Sequence, residues 1–164
     1  MRDLVVQSGG RAIFGIVVAI AVAFPAMAGE SQRVFTDSDD VAIRGYDTVA
    51  YFTENQPVKG TNEYERVWQD AKWRFSSAEN RDRFAGDPER YAPRYGGFCA
   101  GGLALGVLWE VDPEAWVIID DKLYLNYSKK DLPEFIEDAP NEIAKADANW
   151  ERIGKVRSRF GQIN

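Results

Sequence analysis

What this chain lacks narrows its chemistry. It contains no histidine, one cysteine and two methionines in 164 residues. Without an imidazole there is no Ser-His or Cys-His pairing for nucleophilic catalysis and no histidine ligand for a metal. The lone Cys99 has no partner for an intramolecular disulfide, which leaves a buried unpaired thiol, an intermolecular bridge or a reactive group. Clustered cationic charge is also missing. Acidic residues outnumber basic ones, giving a net charge of −6. Nucleic acids and anionic lipid surfaces recruit concentrated Lys and Arg, so neither is expected as a partner.

Only the N-terminus carries a sustained apolar run. Arg2 and Arg11 precede residues 12–24, then Pro25 and the triplet Ala26, Met27, Ala28, an A-x-A cleavage pattern. The run is shorter than the roughly 20 residues a spanning helix needs, so residues 1–28 are predicted to be a cleaved export signal. Cleavage would remove both methionines. Cys99 would then be the only soft donor in a periplasmic or secreted chain with no membrane span. One thiolate cannot build the closed three- or four-donor site that holds copper or zinc tightly, although two Cys99 thiolates across a homodimer could hold Cu(I) linearly.

The mature chain reads as one α+β domain. Residues 29–40 are polar and acidic and form a flexible lead-in; Asp37, Asp39 and Asp40 lack the spacing of an EF-hand loop and read as solvated charge. Residues 41–52 read as two short extended pieces around a turn at Gly45. Residues 64–69 and 72–75 form a hairpin about Asp70 and Ala71, with Trp73 and Phe75 on one face. Ser76 and Glu79 fit a capping box opening a helix that stops at Gly86, and Asp87 with Pro88 opens another. Gly96 and Gly97 suit positive φ, and residues 98–105 form a short buried helix ended by Gly106. A second hairpin turns at Asp120 and Asp121, its second strand buried on both faces. Ser128 and Asp131 cap a helix, and Ile143, Ala146, Trp150 and Ile153 place one apolar stripe on the last. The expected result is a small antiparallel hairpin sheet flanked by short helices, a domain over residues 41–153 and a frayed tail over 154–164. The two hairpins are the only repetition visible.

Several segments in order resemble the YHS-domain family, in particular its secreted bacterial branch: residues 45–52 (GYDTVAYF), 73–81 (WRFSSAENR), 87–91 (DPERY), 95–100 (YGGFCA), 123–127 (LYLNY) and 143–150 (IAKADANW). Other branches bind metal through cysteines in D-P-V-C and F-C-S-x-x-C elements. The resemblance puts those thiolates at Ala50, Ser76 and Asn80, so all three are absent here.

The candidate site residues are therefore Cys99, Tyr46, Asp47, Trp73, Tyr95, Tyr124 and Asn126. Cys99 is either a small buried hydrophobe or a nucleophile whose pKa is lowered by Arg94 and the amides near Gly97. Asp47 is either a carboxylate for acid–base work or an acceptor fixing the Gly45 turn. The aromatics suit a ligand pocket and equally suit a small core. The expected function is a noncatalytic binding module for a small ligand or protein partner without cofactor; copper binding through Cys99 is the alternative, and a thiol redox role the third reading.

Overall fold

The computed structural model describes residues 34–160. The expected export signal, residues 29–33 of the lead-in and residues 161–164 of the tail lie outside that range. The order of elements repeats. A left-handed turn at Ile43–Gly45 leads to helix α1 (Ala50–Thr53), a hairpin of β1 (Thr61–Trp68) and β2 (Ala71–Phe75), then α2 (Ala78–Gly86) and α3 (Pro88–Tyr91). A second turn at Arg94–Gly97 leads to α4 (Ala100–Ala104), a hairpin of β3 (Asp112–Ile119) and β4 (Lys122–Asn126), then α5 (Leu132–Glu137) and α6 (Ala139–Phe160).

The repetition extends to register. Each strand of the second hairpin starts and ends 51 positions after its counterpart, 112 against 61 and 126 against 75. Both hairpins slip at the same place: Thr61 faces Phe75 but Glu65 faces Arg74, and Asp112 faces Asn126 but Trp116 faces Leu125. Both close through two residues at positive φ, Gln69 and Asp70 in one and Asp120 and Asp121 in the other. Such paired left-handed residues match the right-handed twist of the flanking strands. The chain is thus two similar halves, a longer repeat than the hairpins alone indicate in sequence.

The α+β class is as expected, with differences in detail. The hairpins stay separate two-stranded sheets and do not join into one. The first turn sits at Gln69 and Asp70, one position earlier than expected. Within residues 41–52 the extended pieces shrink to isolated bridges at Val41, Ala42 and Tyr46, and Ala50 to Thr53 is helical. The cap of α2 is Ser77, whose hydroxyl accepts from the Asn80 amide, because Ser76 is engaged elsewhere. The last helix continues past Ile153 to Phe160.

Two apolar clusters share one wall. In the first, Trp73 and Phe75 from one face of β2 meet Phe84 of α2 and Tyr51 of α1. Burying each such side chain contributes about 1.5–3 kcal/mol. In the second, Tyr95, Leu103, Phe135 and Ala146 gather beneath α6. Strand β4 divides them, sending Leu123 and Leu125 into the first cluster and Tyr124 into the second. The small residues of α4 allow α6 to lie close, and Asn149 of α6 donates to the carbonyls of Leu103 and Ala104 at 2.9 and 3.2 Å, satisfying the end of α4. Among the described residues no helix is long and apolar enough to cross a membrane.

Candidate functional site

Two residues after each left-handed turn stands a buried side chain that caps the next short helix. In the first half it is Asp47, fully buried. One carboxylate oxygen accepts from the amides of Val49 (2.9 Å) and Ala50 (3.2 Å), fixing the start of α1. The other accepts from the Ser76 amide (2.8 Å), the Ser76 hydroxyl (2.7 Å) and Asn80 Nδ2 (2.8 Å). Five donors therefore tie α1, the end of β2 and α2 to one carboxylate. The amides Asp47 serves are those of α1, not those of the Gly45 turn. With both oxygens occupied, Asp47 is a structural knot, not a free acid or base.

In the second half the equivalent side chain is Cys99, 3% exposed. Its Sγ accepts from the Gly102 amide at 3.3 Å, capping α4, and lies 3.9 Å from Asn126 Oδ1. The same Asn126 oxygen accepts from the Gly101 amide at 3.2 Å. Burial pushes the Cys99 thiol up from its usual value, and the amides of Gly102, Tyr127 and Gly101 offset this only partly. Of the two readings of Cys99, the one in which Arg94 lowers its pKa finds no support in the position of that side chain. The Arg94 guanidinium is held by Asp147 at 3.1 Å and lies over the Tyr95 ring at 5.5 Å. Sealed and proton-holding, Cys99 behaves as a buried hydrophobe. Among the described residues, no group of three or more His, Cys, Asp or Glu side chains could hold a metal ion.

The remaining candidates fall in two depressions, each bordered by one left-handed turn. Arg44 and Tyr46 line an open groove of about 490 Å3 together with Lys59, Glu110, Asp112 and Tyr127. Its ions are already engaged: Arg44 pairs with Glu110 at 2.6 Å, while Lys59 donates to the Arg44 carbonyl at 2.6 Å and sits 4.4 Å from the Tyr46 ring centroid.

Trp73 and Tyr95 line the other, a narrower pocket of about 290 Å3 between the halves. Trp68 packs on Trp73 with ring centroids 5.6 Å apart, and Trp150 packs on Tyr95 at 6.1 Å. Both pairs line the pocket, with Glu89, Gln69 and Arg94 as polar residues. Trp73 is nearly sealed, so the half-buried Trp68 and Trp150 supply more of the accessible ring surface. The Tyr95 hydroxyl donates to Asp147 at 3.0 Å, and burial together with that carboxylate raises its pKa. Tyr95 itself adopts φ of +59°, a strained conformation for an aromatic residue and of a kind that concentrates at binding sites. Tyr124 lies behind it, ring centroids 6.0 Å apart, buried in the second cluster.

The seven residues chosen from sequence thus divide among the Asp47 knot, the Cys99–Asn126 contact, the groove at Tyr46 and the aromatic pocket, with Tyr124 in the core. Sequence reasoning missed Trp68, Trp150 and Glu89 at the pocket. Trp150 was visible as part of an apolar stripe, but nothing in its spacing said that it faces a cavity. Compared with family models, with curated proteins and with solved structures, the chain matches none of them.

Proposed function

We propose that this protein is an exported, noncatalytic binding module for a small ligand, built on a YHS-type scaffold without the cysteine metal site. The observation that carries the binding reading is the pocket between the halves, where two aromatic pairs contributed by β1, β2, the second turn and α6 meet a few polar side chains. Aromatic rings joined by a small number of polar side chains are a usual feature of small-molecule sites, and the pocket's volume stands at the lower end of the ~300–1,000 Å3 range for such sites. A small head group fits it; a large cofactor does not.

The scaffold part has separate support. Ala50, Ser76 and Asn80, where the resemblance would put thiolates, all donate to Asp47. Position 50 is distant in sequence from positions 76 and 80, yet all three contact one carboxylate, Ala50 through its backbone amide and Ser76 and Asn80 through their side chains. Export rests on the A-x-A pattern before Gly29, and the intact mass of the protein recovered from the periplasm or medium tests it: a chain beginning at Gly29 is expected.

Binding is tested by recording the indole N–H signals of all five tryptophans while a set of small organic fragments is titrated into the protein. Saturable shifts at Trp68, Trp73 and Trp150, with Trp109 and Trp116 unmoved, are expected. Shifts confined to Trp109 and Trp116, or none at all, would reject the reading.

A further inference from the structure

The proposed binding reading leaves open what the aromatic pocket holds, and its charges bear on that question. Three tryptophans and a tyrosine line it. Aromatic faces are negative, and indole is the strongest of them for attracting a cation within about 6 Å. Two ionisable side chains join the rings. Arg94 brings a positive charge, but Asp147 neutralises it at 3.1 Å. Glu89 is exposed on α3 and is in no ion pair among the described residues. With Arg94 held by Asp147, Glu89 is the one charged side chain of the lining outside an ion pair among the described residues, in a protein of net charge −6. An anionic ligand would meet Glu89 and the ring faces together, whereas a cation would be favoured by both.

The size of the pocket narrows the class. About 290 Å3 admits a compact head group. A primary ammonium would bring a tight hydration shell and three donors needing acceptors, and Glu89 is the one carboxylate of the lining. A methylated ammonium has neither demand: its charge is spread over apolar methyl groups that pack against indole while the charge is drawn to the ring faces.

We propose that this pocket takes a small quaternary or N-methylated ammonium ion, with the accessible rings of Trp68 and Trp150 against the cationic head, the buried Trp73 and Tyr95 behind them and the Glu89 carboxylate at its side. The proposal rests on the binding reading above and goes further by naming the ligand's chemistry. Neither Cys99 nor Asp47 takes part in it.

The test uses choline and its neutral isostere 3,3-dimethylbutan-1-ol, in which carbon replaces nitrogen, titrated into the purified protein at constant ionic strength. The expected result is saturable movement of the Trp68, Trp73 and Trp150 indole signals with choline, and binding of the isostere about tenfold weaker, the scale of a partly desolvated cation–π interaction. Glu89→Gln, an exposed change that leaves the core intact, is expected to weaken choline several-fold and leave the isostere unaffected. Trp150→Phe, which keeps a ring in the apolar stripe, should weaken choline less than Trp150→Leu. Equal binding of choline and the isostere would overturn the cation proposal while leaving the pocket as a small-ligand site. So would binding of other fragments at these tryptophans with no response to choline. Failure of every fragment would reject the binding reading as well.

Discussion

The two halves of this protein place the same elements in the same order and fix them by different chemistry. Each begins with three residues at positive φ: Ile43, Arg44 and Gly45 in one, Tyr95, Gly96 and Gly97 in the other. Two positions later comes the buried cap, Asp47 or Cys99. The first cap is a charged acceptor holding five donors, and the second is a thiol holding one amide with a weak contact to Asn126. The glycine content is reversed. The first turn has one glycine and sets a β-branched residue, Ile43, at φ of +50°, at a cost of order 1–3 kcal/mol. The second has two glycines and less strain to offset. The strongly held cap therefore accompanies the more strained turn. Polar hydrogen bonding stabilises the first half's entry, while steric fit stabilises the second's.

The sharpest way to break this contrast is at the caps. Asp47→Ala would leave the Asn80 amide group, the Ser76 hydroxyl and three backbone amides without their acceptor in a sealed site. Orphaned buried donors cost about 1–3 kcal/mol each before relaxation, and removing one partner from a buried charged network costs about 3–5 kcal/mol. A loss of about 4 kcal/mol in urea unfolding is expected, enough to leave much of the protein unfolded. Asp47→Asn keeps one acceptor oxygen and should recover part of the loss. If Asp47→Ala and Cys99→Ala proved equally mild, the first half would not depend on its knot.

The turn glycines give a second, smaller contrast. Gly45 and Gly97 hold corresponding positions at φ of +76° and +83°, yet their surroundings differ. A Cβ on Gly45 would meet its nearest atoms at 3.6 and 3.7 Å, ordinary contact, whereas one on Gly97 would stand 2.1 Å from Ile43 Cδ1. The first turn's strained isoleucine is therefore packed onto the second turn's glycine. Gly45→Ala should cost only the left-handed backbone penalty, roughly 1–2 kcal/mol. Gly97→Ala adds a core clash that typically costs about 1–3 kcal/mol more. Ile43→Val, which removes the offending methyl, should reduce the cost of Gly97→Ala by about 1 kcal/mol in a double-mutant cycle. Additive effects would mean that the turns do not touch in solution as they do here.

Much of this framework was legible in sequence, and what was not has physical reasons. The hairpins showed through alternation at Trp73 and Phe75 and through the Asp120 and Asp121 turn. The α3 cap showed through Asp87 and Pro88, and the last helix through its three- and four-residue spacing. The cap of α2 was misplaced because Ser76 and Ser77 are equally good local caps. Only the distant Asp47 decides between them, by taking the Ser76 hydroxyl. The left-handed Ile43 and Arg44 were invisible for the same reason, since neither residue favours positive φ and long-range packing imposes it. The repetition of halves escaped notice because corresponding caps, a carboxylate and a thiol, share no chemistry. The pocket escaped because its walls come from residues as far apart as Val34, Trp68 and Trp150.

The smallest expected effect distinguishes the caps by their response to pH. Burial raises the Cys99 pKa above its usual 9.0, so the folded chain keeps the thiol proton at a pH where the unfolded chain releases it. The unfolded state then binds fewer protons, and stability must fall as pH rises. The contribution is intact below about pH 9 and is lost from there upward towards the raised folded value. Tyr51, Tyr95 and Tyr124, also raised chiefly by burial, add losses of the same sign that begin only near 10.0. Cys99→Ser keeps a cap for α4 and has nothing to titrate in this range. Its urea midpoint is expected to stay level between about pH 8 and 9.5 while that of the unaltered protein declines. An unaltered protein that labels with maleimide at neutral pH as fast as an unfolded one would show that the thiol is not sealed. The contrast between a rigid carboxylate cap and a buried thiol cap would then fail at its second member.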